Sequence, residues 1–209
     1  MHPKPTMKRQ DLLAIGIAVA FLLSAMAFLS AMAWADGNPE RGRARSQMCE
    51  GCHGIAGYRT AYPDVYPVPR IGGQQAAYIV KTLNDYKNGA RKHPTMRGIA
   101  ATLSEQDMAE LAAYYAGDTT TTFAGHDAGK KADDACAGCH GPEGNKPVTP
   151  ETPRLAGQQY EYLVQALIEY RKGTRDNAVM TAMAKPLTEK QVRELAWYFS
   201  KRQGLTTKR

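Results

Sequence analysis

All four cysteines of this chain fall in two copies of one pattern, Cys-x-x-Cys-His: Cys49, Cys52 and His53 in the first, Cys136, Cys139 and His140 in the second. Two thiols at this spacing can each add to one vinyl group of a haem, while the adjoining histidine is left to face the iron. The pattern therefore predicts two covalently bound haem c groups, with the cysteines as attachment points and His53 and His140 as proximal ligands. A zinc site built from two Cys-x-x-Cys pairs keeps them roughly fifteen to twenty residues apart, whereas Cys52 and Cys136 are separated by 84 positions. A thioredoxin-like dithiol would need βαβ surroundings, which neither copy has. Neither zinc nor plain disulfides explain a histidine directly after the second cysteine in both copies.

The rest of the chain repeats as well. Residues 70–103 and 154–187 align without a gap at an offset of 84, sharing among others Arg70/Arg154, Gln74/Gln158, Tyr78/Tyr162, Arg91/Arg175 and Met96/Met180. Such self-similarity predicts a duplicated unit. The haem motifs are offset by 87, so the first copy holds three extra residues, in the Tyr/Pro-rich loop 57–69. The two units are expected to differ most in that loop. The expected division is a leader over 1–35, a first domain over 36–116, a linker over 117–125 and a second domain over 126–209. The linker begins at the breaker-rich run Gly117-Asp118-Thr119-Thr120.

Each unit reads as all-α. Asn38 followed by Pro39 is a helix start that should run into the first haem motif. Tyr78, Leu83 and Tyr86 suggest a second helix, which Gly89 can end, and its counterpart covers 158–172. A third helix starts at the capping box Ser104-x-x-Asp107 and puts Met108, Leu111, Ala112 and Tyr115 on one face. Thr188-x-x-Gln191 repeats the arrangement before Val192, Leu195, Ala196 and Phe199. A unit of about 85 residues buries only a modest apolar core, so the haem is expected to supply much of it.

At the N-terminus Lys8 and Arg9 precede an apolar run over residues 12–33 that ends in Ala33-Trp34-Ala35. This predicts export, with cleavage after Ala35 favoured by the small-x-small pattern; the run is also long enough to remain as a membrane anchor through residues 12–35. In either case the chain beyond Ala35 lies outside the cytoplasm, in the periplasm, where covalent haem attachment takes place in bacteria. The formal charge of +7 becomes +5 without the leader, and +4 of this falls on residues 126–209. Haem propionates bring the whole near neutrality, so the basic excess does not argue for nucleic acid.

The second axial position decides what a haem does. Met96 in His93-Pro94-Thr95-Met96 pairs through the repeat with Met180 in Asn177-Ala178-Val179-Met180. A lone methionine more often fills a core gap; recurrence at equivalent positions of two haem units favours ligation at both. Met183 competes with Met180, but its counterpart is Ile99. His93 competes with Met96, but its counterpart is Asn177.

With these motifs, two Pro-Arg-(Ile/Leu)-x-Gly-Gln-Gln segments at 69–75 and 153–159, and Met-x-x-x-Ala-x-x-Leu runs from Met96 and Met180, the chain resembles the dihaem cytochrome c4 family. The resemblance covers essentially everything after the leader. It implies two tandem class I cytochrome c domains, each wrapped round one covalent haem. It also implies that the carbonyls of Pro69 and Pro153 accept from Nδ1 of His53 and His140, that Ile71 and Leu155 pack on the haems, and that Arg70 or Arg154 approaches a propionate. The implied function is electron transfer, not enzymatic catalysis, from a cytochrome bc complex or other donor to a haem-copper terminal oxidase. The rivals are a dihaem subunit of one dehydrogenase, such as a flavocytochrome that oxidises sulfide, and a dihaem peroxidase or thiosulfate-oxidising enzyme. The last needs an open iron or a reactive side chain beside it.

Overall fold

The computed structural model describes residues 37–117 and 134–208. The expected leader, the expected linker apart from Gly117, and the start of the second unit up to residue 133 lie outside the described residues. His126 lies there too.

In the first lobe Asn38 caps α1 (Pro39–Arg45), accepting from the amides of Glu40 and Arg41 at 2.9 and 3.0 Å. Pro39 sits in the first turn, where its missing N–H is no loss. The helix does not run unbroken into the haem motif: Ser46 separates it from α2 (Gln47–His53), which carries Cys49, Cys52 and His53. The longer loop then forms a small hairpin, β1 (Arg59–Thr60) against β2 (Tyr66–Pro67), which the helical reading did not anticipate. After it come α3 (Ala76–Asn88), α4 (Pro94–Ala101) and α5 (Glu105–Ala116).

The second lobe repeats the order as α6 (Asp134–His140), α7 (Tyr160–Lys172), α8 (Ala178–Ala184) and α9 (Glu189–Ser200). Gly89 and Gly173 end α3 and α7 in the left-handed conformation, at φ 86° and 71°, as expected of glycine C-caps. Both capping boxes form, Ser104 with Asp107 and Thr188 with Gln191.

Each lobe has its own apolar cluster, a consequence of helical stripes turned inward. In the first, Ile79 and Leu83 of α3 meet Met108, Leu111 and Tyr115 of α5. In the second, Leu163 of α7 meets Ala196, Tyr198 and Phe199 of α9. Glu110 is buried on α5 and neutralised from α1, by Arg41 Nε at 3.1 Å and Arg45 Nε at 3.0 Å; a buried carboxylate needs such partners. Among the described residues no helix is long and apolar enough to cross a membrane.

Two excursions tie the lobes together. The hairpin of the first lobe reaches α7, where Tyr66 meets the ring of Tyr162 at 6.3 Å, an Arg59 nitrogen lies 2.5 Å from Glu161, and Gln165 donates to Asp64 at 3.2 Å. In return, Thr206 exchanges two backbone hydrogen bonds with Gly72 at 2.9 and 3.0 Å. Lys208 Nζ caps the end of α5 by donating to the carbonyls of Tyr114 and Gly117, at 2.5 and 3.0 Å.

Candidate functional site

The short helix α2 brings Cys49, Cys52 and His53 to one place, and α6 does the same for Cys136 and His140. In both lobes the histidine is fixed from behind in the same way: the carbonyl of Pro69 accepts from His53 Nδ1 at 2.8 Å, and that of Pro153 from His140 Nδ1 at 2.8 Å. A carbonyl only accepts, so the ring proton resides on Nδ1 and the lone pair of Nε2 is left available. Both imidazoles are held below the ordinary histidine pKa, chiefly by burial, which outweighs the opposing pull of the proline carbonyl; at His53 the charge of Arg91 adds to the lowering. Each is therefore neutral near neutral pH, the form in which imidazole binds a metal.

A largely apolar cavity of about 460 Å³ runs through both lobes. Cys49, Cys52, His53 and Met96 line it from the first lobe, and Cys136, His140 and Met180 from the second. Pro69, Arg70, Ile71, Pro153, Arg154 and Leu155 line it too. Cys139 is exposed and outside that lining. In the first lobe two thiols, a neutral imidazole and a thioether face this apolar space, and in the second one thiol, a neutral imidazole and a thioether do, with Cys139 three residues after Cys136 on the same helix; these donors fit a covalent haem in each lobe.

The methionines reach the cavity on α4 and α8, which the periodicity did not reveal. These helices begin at equivalent N-caps: His93 Nδ1 accepts from the Met96 amide at 3.3 Å, and Asn177 Oδ1 from the Met180 amide at 2.9 Å. The His93/Asn177 mismatch in the repeat thus has a local meaning, since both side chains perform one capping task. Met183 is 37 % exposed and does not line the cavity.

Between the lobes lies a network that the motif reading did not foresee. The buried amide of Gln158 accepts from Arg70 N at 2.8 Å and donates to Arg70 O at 2.9 Å. Gln74 does the same to Arg154, at 2.9 and 3.0 Å. The guanidinium of Arg70 donates to the Gly157 carbonyl at 2.5 Å, and that of Arg154 to the Gly73 carbonyl at 2.8 Å. Arg70 and Arg154, one or the other of which the resemblance leads one to expect at a propionate, thus bridge the lobes. Farther along, Arg91 and Arg175 face each other across an isolated antiparallel bridge. Arg91 Nη2 donates to Tyr162 at 2.6 Å, and Arg175 Nη2 to Tyr78 at 3.0 Å. Each of these contacts recurs with partners exchanged, so the lobes meet through a pseudo-two-fold axis. The signal was present in the repeat, because Arg, Gly, Gln, Tyr and Arg at 70, 73, 74, 78 and 91 all recur 84 positions later.

Comparisons with known proteins agree with this geometry. A family model described as Cytochrome c matches residues 127–202. Cytochrome c4 of Pseudomonas aeruginosa is 34% identical over 197 residues, covering 85% of this chain and 93% of the relative. A thiosulfate dehydrogenase electron acceptor of Stutzerimonas stutzeri is 32% identical over 171 residues, covering 73% of this chain and 77% of the relative. Reduced recombinant cytochrome c4 from Pseudomonas stutzeri superposes with a TM-score of 0.63 at 28% identity, over 81% of this chain and 100% of that structure.

Proposed function

Because the chain belongs to the cytochrome c4 family, whose members carry two covalent haem c groups, we propose that it is a periplasmic electron carrier in which His53 and Met96 would hold the iron of one haem and His140 and Met180 that of the other. The observation that carries this reading is the recurrence at equivalent places in both lobes of a cavity-lining cysteine, a proline-anchored neutral histidine and a capped methionine helix. Bound haem supplies one-electron redox chemistry at its iron. The residues do the rest. Pro69 and Pro153 hold each imidazole in a single tautomer and orientation and raise its basicity toward a metal. His93 and Asn177 fix the first turns of α4 and α8, so that the thioethers present themselves without rearrangement. Ile71 and Leu155 help to exclude water, and an apolar surround with a thioether ligand favours the less charged, reduced state.

On this reading the protein is not itself an enzyme. It takes electrons from a quinol-oxidising cytochrome bc complex and passes them to a haem-copper oxidase, with residues 1–35 serving as a cleaved signal or a retained anchor. The similarity to a thiosulfate dehydrogenase electron acceptor favours a second reading, in which a specific dehydrogenase is the donor.

Intact mass of the protein from periplasmic and membrane fractions tests the core of the proposal. Residues 36–209 plus two haems means a carrier free in the periplasm, and full length plus two haems in the membrane means a tethered one. A mass lacking either haem overturns the reading. Reduction rates with a bc complex and quinol, against those with thiosulfate and its dehydrogenase, decide the donor.

A further inference from the structure

Tyr115 on α5 and Phe199 on α9 occupy one place in the repeat and differ by a single oxygen atom. The backbone carbonyl of Tyr115 accepts from Gly73 N at 2.8 Å, and that of Phe199 from Gly157 N at 2.9 Å. Each ring meets the tyrosine before it edge to face, Tyr114 at 4.9 Å and Tyr198 at 5.1 Å. Both side chains line the cavity, at 1% and 3% exposure. A cavity-lining cysteine packs on the apolar cluster that holds each ring, Cys49 in the first lobe and Cys136 in the second.

The extra oxygen is buried and has no hydrogen-bond partner among the described residues. Phenylalanine fills the equivalent space in the second lobe without burying a polar group, so the phenol of the first lobe calls for a partner of its own. Glu50 does not provide one, because its carboxylate accepts from Ser46 at 2.5 Å and from the Tyr114 hydroxyl at 3.3 Å. Cys49 is the side chain that responds to Tyr115. Burial pushes the Cys49 thiol up and the Tyr115 hydroxyl pulls it back, while the phenol itself is pushed well up, by burial first and by Cys49 next. A thiol carries a hydrogen of its own, but a sulfur bonded to a haem vinyl carbon is a thioether and only accepts. The phenol then holds the one proton between the two groups, which makes it the donor.

We propose that Tyr115 donates its hydroxyl proton to the Cys49 thioether sulfur, and that this bond, which Phe199 cannot make to Cys136, raises the potential of the first haem alone. The positive end of the O–H dipole lies against a sulfur joined to the porphyrin and favours the electron-rich, reduced state. Two haems with like ligands thus differ through one hydroxyl. The inference rests on the two-haem reading above.

The test is spectroelectrochemical titration of the dihaem holoprotein carrying Tyr115→Phe or Phe199→Tyr, with resonance Raman spectra of the thioether modes in light and heavy water. Each shift is assigned to its lobe in the Met180→Ala background, where only the first haem keeps its sulfur-to-iron band. Tyr115→Phe is expected to shift the redox equilibrium of the first haem toward the oxidised form by about threefold, or about 28 mV at 59 mV per decade, and to leave the second haem unmoved. Phe199→Tyr should shift the second haem the opposite way by a similar factor, and it decides alone if Tyr115→Phe does not fold. In the wild type a carbon–sulfur mode of one haem should move on deuteration, and Tyr115→Phe should abolish that movement. Unchanged potentials with both haems present overturn the proposal, as does an equal shift of both haems. A shift of the first haem with the deuterium effect retained also overturns it, by taking the bond away from the Cys49 sulfur. A wild-type mass short of a haem is a separate result, because it removes the two-haem reading itself.

Discussion

Met180 and Met183 offer two thioethers less than a turn apart on α8, and what separates them is direction. Met180 is half-buried and lines the cavity, whereas Met183 is exposed and does not. Met180→Ala should therefore abolish the sulfur-to-iron charge-transfer band of one haem, and Met183→Ala should leave both bands intact, with two haems by mass in each variant. Loss of the band in Met183→Ala alone would reverse the assignment. The residue scale is also where the sequence is most legible. Cysteines and histidines announce themselves by spacing, and Met96 and Met180 by recurrence. The work of His93 is hidden, because its pairing with Asn177 reads as a mismatch until the backbone shows both side chains accepting an amide three residues on.

At the scale of elements, the two final helices start with the same box built from different chemistry. In α5 the Asp107 carboxylate accepts from Ser104 N at 2.9 Å and Ser104 Oγ at 2.7 Å; in α9 the amide oxygen of Gln191 takes both roles with Thr188, at 2.9 Å each. The Ser104 hydrogen bonds, helped by the charge of Arg45, hold Asp107 below its ordinary pKa of 3.8. A carboxyl depressed on folding contributes its stability in full above the unfolded value and loses it as pH falls through the folded one. Acidification below about pH 3.8 should thus release amide exchange protection in the first turn of α5 while sparing α9. Asp107→Asn should remove the difference, and equal fraying of both helices in the native chain would contradict the account. Caps of this kind are legible because a few adjacent residues specify them. The helices α4 and α8 are not, since a stretch of seven or eight residues makes barely two turns and shows no period. The hairpin is illegible for another reason: its partners, Glu161 and Gln165, lie about a hundred positions away.

For the whole molecule, the buried amides of Gln74 and Gln158 decide whether two lobes behave as one. Each satisfies a backbone N–H and C=O of the other lobe, and leaving such buried groups unpaired costs about 1–3 kcal/mol apiece. Denaturant unfolding of the holoprotein should show a single transition, and the double variant Gln74→Ala/Gln158→Ala should resolve it into two. One sharp transition in the double variant would mean that the hairpin and the Thr206 bridge suffice. That two similar units exist is plain from the repeat. That their shared residues face each other is not, because an identity kept for an interface looks the same in a sequence as one kept for a core. The exchange of partners across the pseudo-two-fold axis carries a historical meaning: Arg70 touches Gln158 as Arg154 touches Gln74, which is how identical subunits meet. The ancestor implied by this contact is a one-haem protein that paired with its own twin. With both copies in one chain, each half bears a surface that the other must match, so a change on either side has to be answered across the axis.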